Sequence, residues 1–132
     1  MSQVMKGIRV LEVAQFTFVP AAGGILADWG ADVIKVEHHL RGDAMRGLGS
    51  TGVLDLSKGV HVLNEHSNRG KRSIGLDLSS EEGVQVLYEL AKTCDVFLTN
   101  KLPEVLQKLL IDVPHIRKHN RDIIYVRGTA SG

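Results

Sequence analysis

The chain has 132 residues, of which 43% are hydrophobic and 23% charged, and this balance excludes a disordered or collagen-like protein. Sixteen Lys and Arg against fifteen Asp and Glu give a net charge of +1, without the basic excess typical of a dedicated nucleic-acid binder. The single cysteine, Cys94, cannot form an internal disulfide, and no apolar run approaches a membrane span. We therefore expect one cytoplasmic domain with neither a nucleic-acid nor a membrane partner.

The first 37 residues alternate between strand and helix patterns. Residues 8–13 form a short branched apolar run that predicts a strand, and residues 32–37 predict a second one. Between them, residues 21–29 predict a helix that Gly30 ends as a C-terminal cap. Two strands joined through a helix within one sheet are parallel, in a right-handed crossover.

Residues 38–69 interrupt this alternation, since they contain five glycines and weak periodicity, and they predict a long loop. A capping box of Ser79 and Glu82 then predicts the start of a helix that runs to Thr93. The remaining predicted elements are strands at 73–78, 95–99 and 122–127 and helices at 103–110 and 114–119. The alternation indicates an α/β fold with a mainly parallel sheet and helices on both faces, apparently truncated because a doubly wound sheet would continue beyond residue 132.

Two patterns resemble known sites but have simpler interpretations. The unit that ends at Glu37 is laid out like a dinucleotide-binding unit, yet its first loop, residues 14–20, lacks the three glycines that pyrophosphate binding requires. Gly23 and Gly24 lie inside the predicted helix and favour close packing instead. His115 and His119 are spaced to share a helical face, but no third ligand is placed beside them. We expect neither nicotinamide nor metal binding.

The basic cluster at residues 69–72 leaves two interpretations open. It is either a solvated turn or a phosphate site, in which arginine forks and a lysine charge act beside flexible backbone. Charge alone does not choose between them. Arg72 is retained as a candidate binding residue.

Several ordered segments together resemble the N-terminal part of the family III CoA-transferases, the CaiB/BaiF family. The most specific are the strings at residues 31–37 and 68–74, supported by residues 7–12, 26–30 and 95–100. The resemblance implies that residues 1–132 are the N-terminal part of a large Rossmann-like CoA-binding domain. Family subunits are about three times longer and interlock in pairs, so a homo-oligomer or the remaining C-terminal portion is the expected protein partner.

The resemblance also implies a binding site for CoA or acyl-CoA. Phe16 and Thr17 lie in the first loop beside CoA, and His38 stands where a residue contacting adenosine or phosphate is common. Leu76 begins the segment that passes the adenine. Asn100 and Lys101 match an Asn-Phe pair near the thiol end, with Lys101 replacing the aromatic residue, and Lys108 matches a basic residue for phosphate.

No catalytic residue is expected within this chain. In the transferases of the family an aspartate attacks the acyl group, and in the racemases a His and an Asp act as bases; both sets would follow residue 132. The chain is therefore expected to supply CoA contacts and to be inactive by itself. The alternatives are a racemase or isomerase segment of the same family and a non-catalytic α/β interaction module.

Overall fold

The structure, a computed structural model, describes residues 3–52 and 59–130. Within these ranges the strands are β1 (Arg9–Val13), β2 (Asp32–His38), β3 (Arg72–Leu76), β4 (Val96–Thr99) and β5 (Ile124–Arg127). The α-helices are α1 (Phe18–Asp28), α2 (Val62–Asn68), α3 (Glu81–Ala91), α4 (Pro103–Lys108) and α5 (Val113–His119), and a 3-10 helix covers Ala44–Thr51. None of the helices in these ranges is long and apolar enough to cross a membrane.

The five strands form one parallel sheet in the order β3-β2-β1-β4-β5. This confirms the predicted α/β fold, and the order is that of a Rossmann-like sheet. The strand order reverses between β1 and β4. At such a switch point the connections that follow the two strands leave in opposite directions, which opens a crevice at the carboxyl edge of the sheet.

Helices cover both faces of the sheet. On one face, Leu87 of α3, Leu106 of α4 and Ile116 of α5 are buried against Leu11 and Phe97. On the other face, Val19 of α1 belongs to a second buried cluster with Val10, Val33 and Leu98. Because both faces of the central strands are covered, every strand there can be apolar on both sides.

Two local predictions were wrong. The helix cap at α3 is Ser80, whose hydroxyl accepts a hydrogen bond from the Gly83 N–H at 3.0 Å, whereas Ser79 bonds to Asp77. The segment at 38–69, predicted as a loop, contains the 3-10 helix and α2; its residues 53–58 lie outside the described residues. The Asp43 carboxylate caps the start of the 3-10 helix by accepting a hydrogen bond from the Met45 N–H. The many glycines of this segment gave no periodic pattern from which the helix could be predicted.

Among the described residues, the α1 side of β5 is only partly covered. Val126 lies in register with Leu98, so both point to the face that α1 covers. Ile124 and Val126 are 61% and 41% exposed. An uncovered apolar strip of this kind is a surface on which further protein can pack.

Gly23 allows α1 to lie close to the sheet. A Cβ at this position would lie 1.9 Å from Oε2 of Glu12 and 3.1 Å from Lys71 Cε. The predicted packing role of Gly23 is thus confirmed. It allows the helix backbone to lie directly on a buried carboxylate.

We expect Gly23→Ala to lower the free energy of unfolding by about 2 kcal/mol, because the added methyl group must displace a buried and ion-paired side chain. Gly47→Ala is the matched control, since no atom lies within 4 Å of its Cβ position. Its effect should stay within about 0.5 kcal/mol. Urea unfolding of the three proteins measures both changes, and equal losses for the two variants would contradict the packing role.

Candidate functional site

A groove runs along the carboxyl edge of the sheet across β3, β2, β1 and β4. This central groove has a volume of about 260 Å³ and is lined by Val13, Ala14, Gln15, Val36, Glu37, His38, Arg41, Leu76, Asp77, Leu78, Ser79, Lys101 and Leu109. It therefore includes the switch point between β1 and β4, where open α/β sheets bind ligands.

Two further grooves adjoin it. The outer groove lies beside β4 and β5 and is lined by Phe18, Asn100, Lys101, Leu102, Pro103, Gly128, Thr129 and Ala130. The rear groove lies between α3 and α4, contains Lys108, and shares Leu78, Ser79 and Leu109 with the central groove. Lys101 lines both the central and the outer groove, so the three depressions are neighbours around one edge.

A buried lysine underlies the switch point. Lys35 of β2 is 1% exposed, and its Nζ lies 2.8 Å from Asp43 Oδ2 and 3.2 Å from Glu12 Oε1. It also donates to the carbonyl of Ala14 at 3.1 Å. One ammonium group therefore ties together β1, β2 and the loops that follow them.

A second lysine completes this network. Lys71 Nζ contacts both carboxylate oxygens of Glu12, at 2.9 and 2.7 Å, and donates to the carbonyl of Pro20 at 2.7 Å. Burial raises the pKa of Glu12 against the opposing attraction of Lys71 and Lys35, and burial lowers the pKa of Lys71. Charges this deeply buried are stable only when paired, so the removal of one member leaves an uncompensated charge.

Asp43 connects the network to the first loop, which follows β1. Its Oδ1 accepts the backbone N–H groups of Phe16 at 3.0 Å and Met45 at 2.8 Å. Phe16 has a φ of 65°, a left-handed conformation that is unusual for a bulky residue. The Asp43 carboxylate thus holds the backbone at Phe16 in a conformation that its side chain disfavours.

Asn100, the residue after β4, binds the same loop through two hydrogen bonds. Its Oδ1 accepts the N–H of Gln15 at 3.0 Å, and its Nδ2 donates to the carbonyl of Gln15 at 2.7 Å. This pair of hydrogen bonds joins the two loops on either side of the switch point. The floor of the crevice is therefore fixed by Lys35 of β2 and by side chains from the loops that follow β2 and β4.

Glu37 supports the loop after β2. Its carboxylate accepts from Arg46 Nε and a terminal guanidinium nitrogen, both at 3.0 Å, and from the Asp43 N–H at 2.8 Å. In a dinucleotide site an acid at this place would bind a ribose hydroxyl. In this chain the Glu37 carboxylate is instead engaged with Arg46 and with the Asp43 N–H.

The structure gathers most of the candidate residues at this edge. Leu76 and His38 line the central groove, Asn100 the outer groove, Lys108 the rear groove, and Lys101 two of them. His38 Nδ1 accepts from the N–H groups of Leu40 and Arg41, at 3.2 and 3.3 Å, so Nε2 is the nitrogen that carries the proton in the neutral ring.

Phe16 and Thr17 flank the grooves without lining them. Phe16 is 46% exposed, and Thr17 is the cap residue of α1 but makes no side-chain cap hydrogen bond. Their backbone shapes the switch point, while their side chains remain at its margin. Their predicted contact with CoA stays a prediction.

Arg72 is not brought together with the other candidates. It begins β3 and therefore lies at the amino edge of the sheet, where its guanidinium bonds to both carboxylate oxygens of Asp32 at 2.9 and 2.7 Å. Arg69 bonds to Asp28 at 2.9 and 2.6 Å, and Lys71 is buried on Glu12. The three cations of the cluster therefore contact separate carboxylate partners in the structure.

The described ranges contain no group of three or more His, Cys, Asp or Glu residues placed to hold a metal ion. His115 instead contacts Asp112, the cap residue of α5, and His119 stacks on Tyr88 at a ring-centroid distance of 3.9 Å. The two histidines therefore have separate local contacts.

Sequence patterns alone did not predict the Lys35 network. A signal was present, because Glu12 and Lys35 are charged residues inside otherwise apolar strands and lie in register as partners. Asp43 is the third member of the network. Its place could not be read from spacing, since it follows β2 by a turn whose path is set by Glu37 and Arg46.

We expect acid to weaken the fold through Asp43. Burial opposes its ionisation, but the ion pair with Lys35 and the N–H groups of Met45 and Phe16 outweigh burial and hold its pKa below the ordinary value. This group therefore adds stability above about pH 4 and loses it as the pH falls through its lowered pKa. Asp43→Asn should lose about 3 kcal/mol at neutral pH and show a shallower decline in acid.

Urea unfolding at neutral pH and at about pH 3 tests this expectation. Asp122→Asn is the matched control, because Asp122 is exposed and makes no ion pair within the described part of the chain. It should retain the wild-type stability at neutral pH. An Asp43→Asn protein as stable and as acid-sensitive as the wild type would contradict the assigned role.

Several known proteins that are similar to this chain belong to one family. The profile described as CoA-transferase family III matches residues 5–132. A succinate–glutarate CoA-transferase of Agrobacterium fabrum is 39% identical over 131 residues, covering 97% of this chain and 32% of the relative. The solved structures of Rv3272 from Mycobacterium tuberculosis and of a CaiB/BaiF family protein from Brucella suis each align with a TM-score of 0.83, at 36% and 33% identity.

Both structural alignments cover 96% of this chain and 33% of the other. The chain thus spans about a third of the length of the proteins it matches. The similarity extends over nearly the whole sheet and the carboxyl edge described above. The chain belongs to CoA-transferase family III.

Proposed function

We propose that this chain supplies the CoA-binding part of an acyl-CoA transferase that moves CoA between carboxylic acids. The observation that carries the proposal is the central groove, which crosses the switch point of the sheet in a member of CoA-transferase family III. A groove at this place suits a long ligand that crosses several strand ends. CoA is such a ligand, and no metal is needed to hold it.

The lining of the grooves suits the chemistry of CoA. Leu76, Leu78 and Leu109 supply apolar lining for the adenine, with His38 at the end of β2 and Arg41 in the loop after it as further lining residues. Lys108 stands beyond this apolar lining in the rear groove, where it can attract phosphate. In this arrangement the pantetheine arm passes Gln15 and brings the thioester towards Asn100 and Lys101.

The catalytic carboxylate is proposed to come from the remainder of a full-length enzyme. Attack on a thioester needs a free carboxylate within reach of the acyl carbon. The buried acids nearest to the switch point, Asp43, Glu12 and Glu37, are each engaged with a cation. They are therefore assigned to shaping the site.

A protein partner is part of the proposal. The open strip of Ile124 and Val126 on β5 is suited to packing against the remaining portion of the enzyme or a second subunit. We propose a homo-oligomer in the cytoplasm as the working form. Sedimentation of the chain at increasing concentration reports the self-association directly.

We predict that CoA binds the chain by an interaction that salt weakens, because exposed phosphate contacts are screened. Lys108→Ala should reduce the affinity roughly fivefold at low salt, the loss of one charge-assisted contact at a partly exposed site. Calorimetric titration at low and at high salt measures both effects.

Arg72→Ala serves as the control for this titration, since Arg72 lies at the opposite edge of the sheet. Its affinity for CoA should match that of the wild type. A loss equal to that of Lys108→Ala, or an affinity that salt leaves unchanged, would contradict the proposed placement of the phosphates.

We further predict that the chain alone transfers no CoA between carboxylic acids. Contacts with CoA provide ground-state binding, which does not lower the chemical barrier. An assay with an acyl-CoA donor and a panel of carboxylate acceptors should show no exchange above the buffer rate. Turnover that is abolished by substituting one aspartate of this chain would show that the nucleophile lies within it.

A further inference from the structure

Lys101 stands at the strand end where the central groove meets the outer groove. Its backbone N–H donates to Thr99 Oγ1 at 3.2 Å, and the Thr99 hydroxyl donates to the carbonyl of Val13 at 2.7 Å. Because Thr99 is fully buried, these two hydrogen bonds tie Lys101 to both strands of the switch point. The side chain of Lys101 is partly buried and lines both grooves.

The Lys101 ammonium makes no hydrogen bond or ion pair within the described part of the chain. Lys35 and Lys71, in contrast, each contact a buried carboxylate. Asp43 is the acid whose field reaches Lys101, but its oxygens already face Lys35 and two backbone N–H groups. The protein thus leaves the charge of Lys101 uncompensated.

This uncompensated charge has an energetic consequence. Burial lowers the pKa of Lys101, since the surroundings disfavour the charged form. An anion beside the ammonium would offset this cost, and two charges attract each other more strongly in a partly buried groove than in water. The neighbouring Asn100 is less available to an anion, because both ends of its amide are hydrogen-bonded to Gln15.

Under the proposed function, the thioester is the part of the ligand that reaches Lys101. The adenine lies towards Leu76 at the β3 end of the central groove, and Lys101 stands at the β4 end. The pantetheine arm joins the two past Gln15, and the acyl group continues into the outer groove beside Phe18 and Leu102. The sulfur of the thioester then lies beside the ammonium.

The charge on this sulfur changes during the transfer. When a carboxylate of the full-length enzyme attacks the acyl carbon, a carbon–oxygen bond forms, the carbon–sulfur bond breaks, and its electron pair goes to the sulfur. The sulfur is neutral in the thioester and negative in the departing thiolate. A cation beside it therefore interacts more strongly with the transition state than with the bound substrate, which lowers the barrier.

We propose that the Lys101 ammonium stabilises the CoA thiolate as it leaves the acyl carbon. The inference rests on the proposed function and adds to it an electrostatic catalytic group. Lys101 stays charged throughout the step and transfers no proton. The nucleophile still comes from the remainder of the enzyme, but the contact between ammonium and thiolate can be measured with CoA and this chain alone.

CoA and desulfo-CoA, in which hydrogen replaces the thiol, are suitable probes for calorimetric titration. The other charged or titratable side chains of the central groove face both ligands alike, so their titration cancels in the ratio of the two dissociation constants; they are Glu37, His38, Arg41 and Asp77.

A neighbouring ammonium lowers the pKa of a thiol, so bound CoA should lose its thiol proton at a lower pH than free CoA. The affinity for CoA then rises with pH, while that for desulfo-CoA does not share this rise. The dissociation constant of desulfo-CoA divided by that of CoA should increase roughly tenfold between about pH 6 and about pH 9.5, if the ammonium favours the thiolate tenfold.

Lys101→Met should abolish this increase, and Lys101→Arg, which keeps the charge, should retain most of it. Lys108→Met is the matched control, since it removes a lysine assigned to the CoA phosphates. It should weaken both ligands equally and leave the increase with pH unchanged.

A ratio that does not change with pH in the wild type would overturn the inference and leave the CoA site intact. An increase that persists in Lys101→Met would also overturn it, and equal weakening of both ligands by that variant would then assign Lys101 to a CoA phosphate. Failure of both CoA and desulfo-CoA to bind would instead refute the proposed function, and this inference with it.

Discussion

The buried Lys35 ammonium is the interaction on which the carboxyl edge of this sheet depends. It joins Glu12 inside β1 to Asp43 beyond β2, and Asp43 in turn holds the backbone of Phe16. A charge that is 1% exposed is costly unless it is fully paired, so the positions of its partners are tightly constrained. The loops at the switch point are therefore held by a buried ion-pair network together with the hydrogen bonds that these loops make to one another.

This constraint explains features that are distant in sequence. Lys71 is a second cation on the single Glu12 carboxylate, and Gly23 of α1 leaves the space for this contact. Asn100 adds a clamp from β4 on the loop that Asp43 holds from β2. A rigid floor with an open rim suits the binding of a long ligand, because little of the site must be ordered when the ligand arrives.

The sequence predicted the elements with strong periodicity and missed those built from polar contacts. Alternating apolar runs placed all five strands and therefore the switch point that contains His38, Leu76 and Lys101. The contact of Arg72 with Asp32 was not predicted, because a cluster of basic residues does not reveal which carboxylate each one meets. The role of Asp43 was not predicted, because it arises from Lys35, which lies eight residues earlier and on another element.

The most direct test of the CoA site is a map of backbone amide shifts in the nuclear magnetic resonance spectrum of the chain as CoA is added. Binding at the carboxyl edge predicts that the largest shifts fall at residues 38–41, 76–79 and 100–101, around the central groove. Shifts concentrated instead around Arg9, Asp32 and Arg72, at the amino edge, would contradict it.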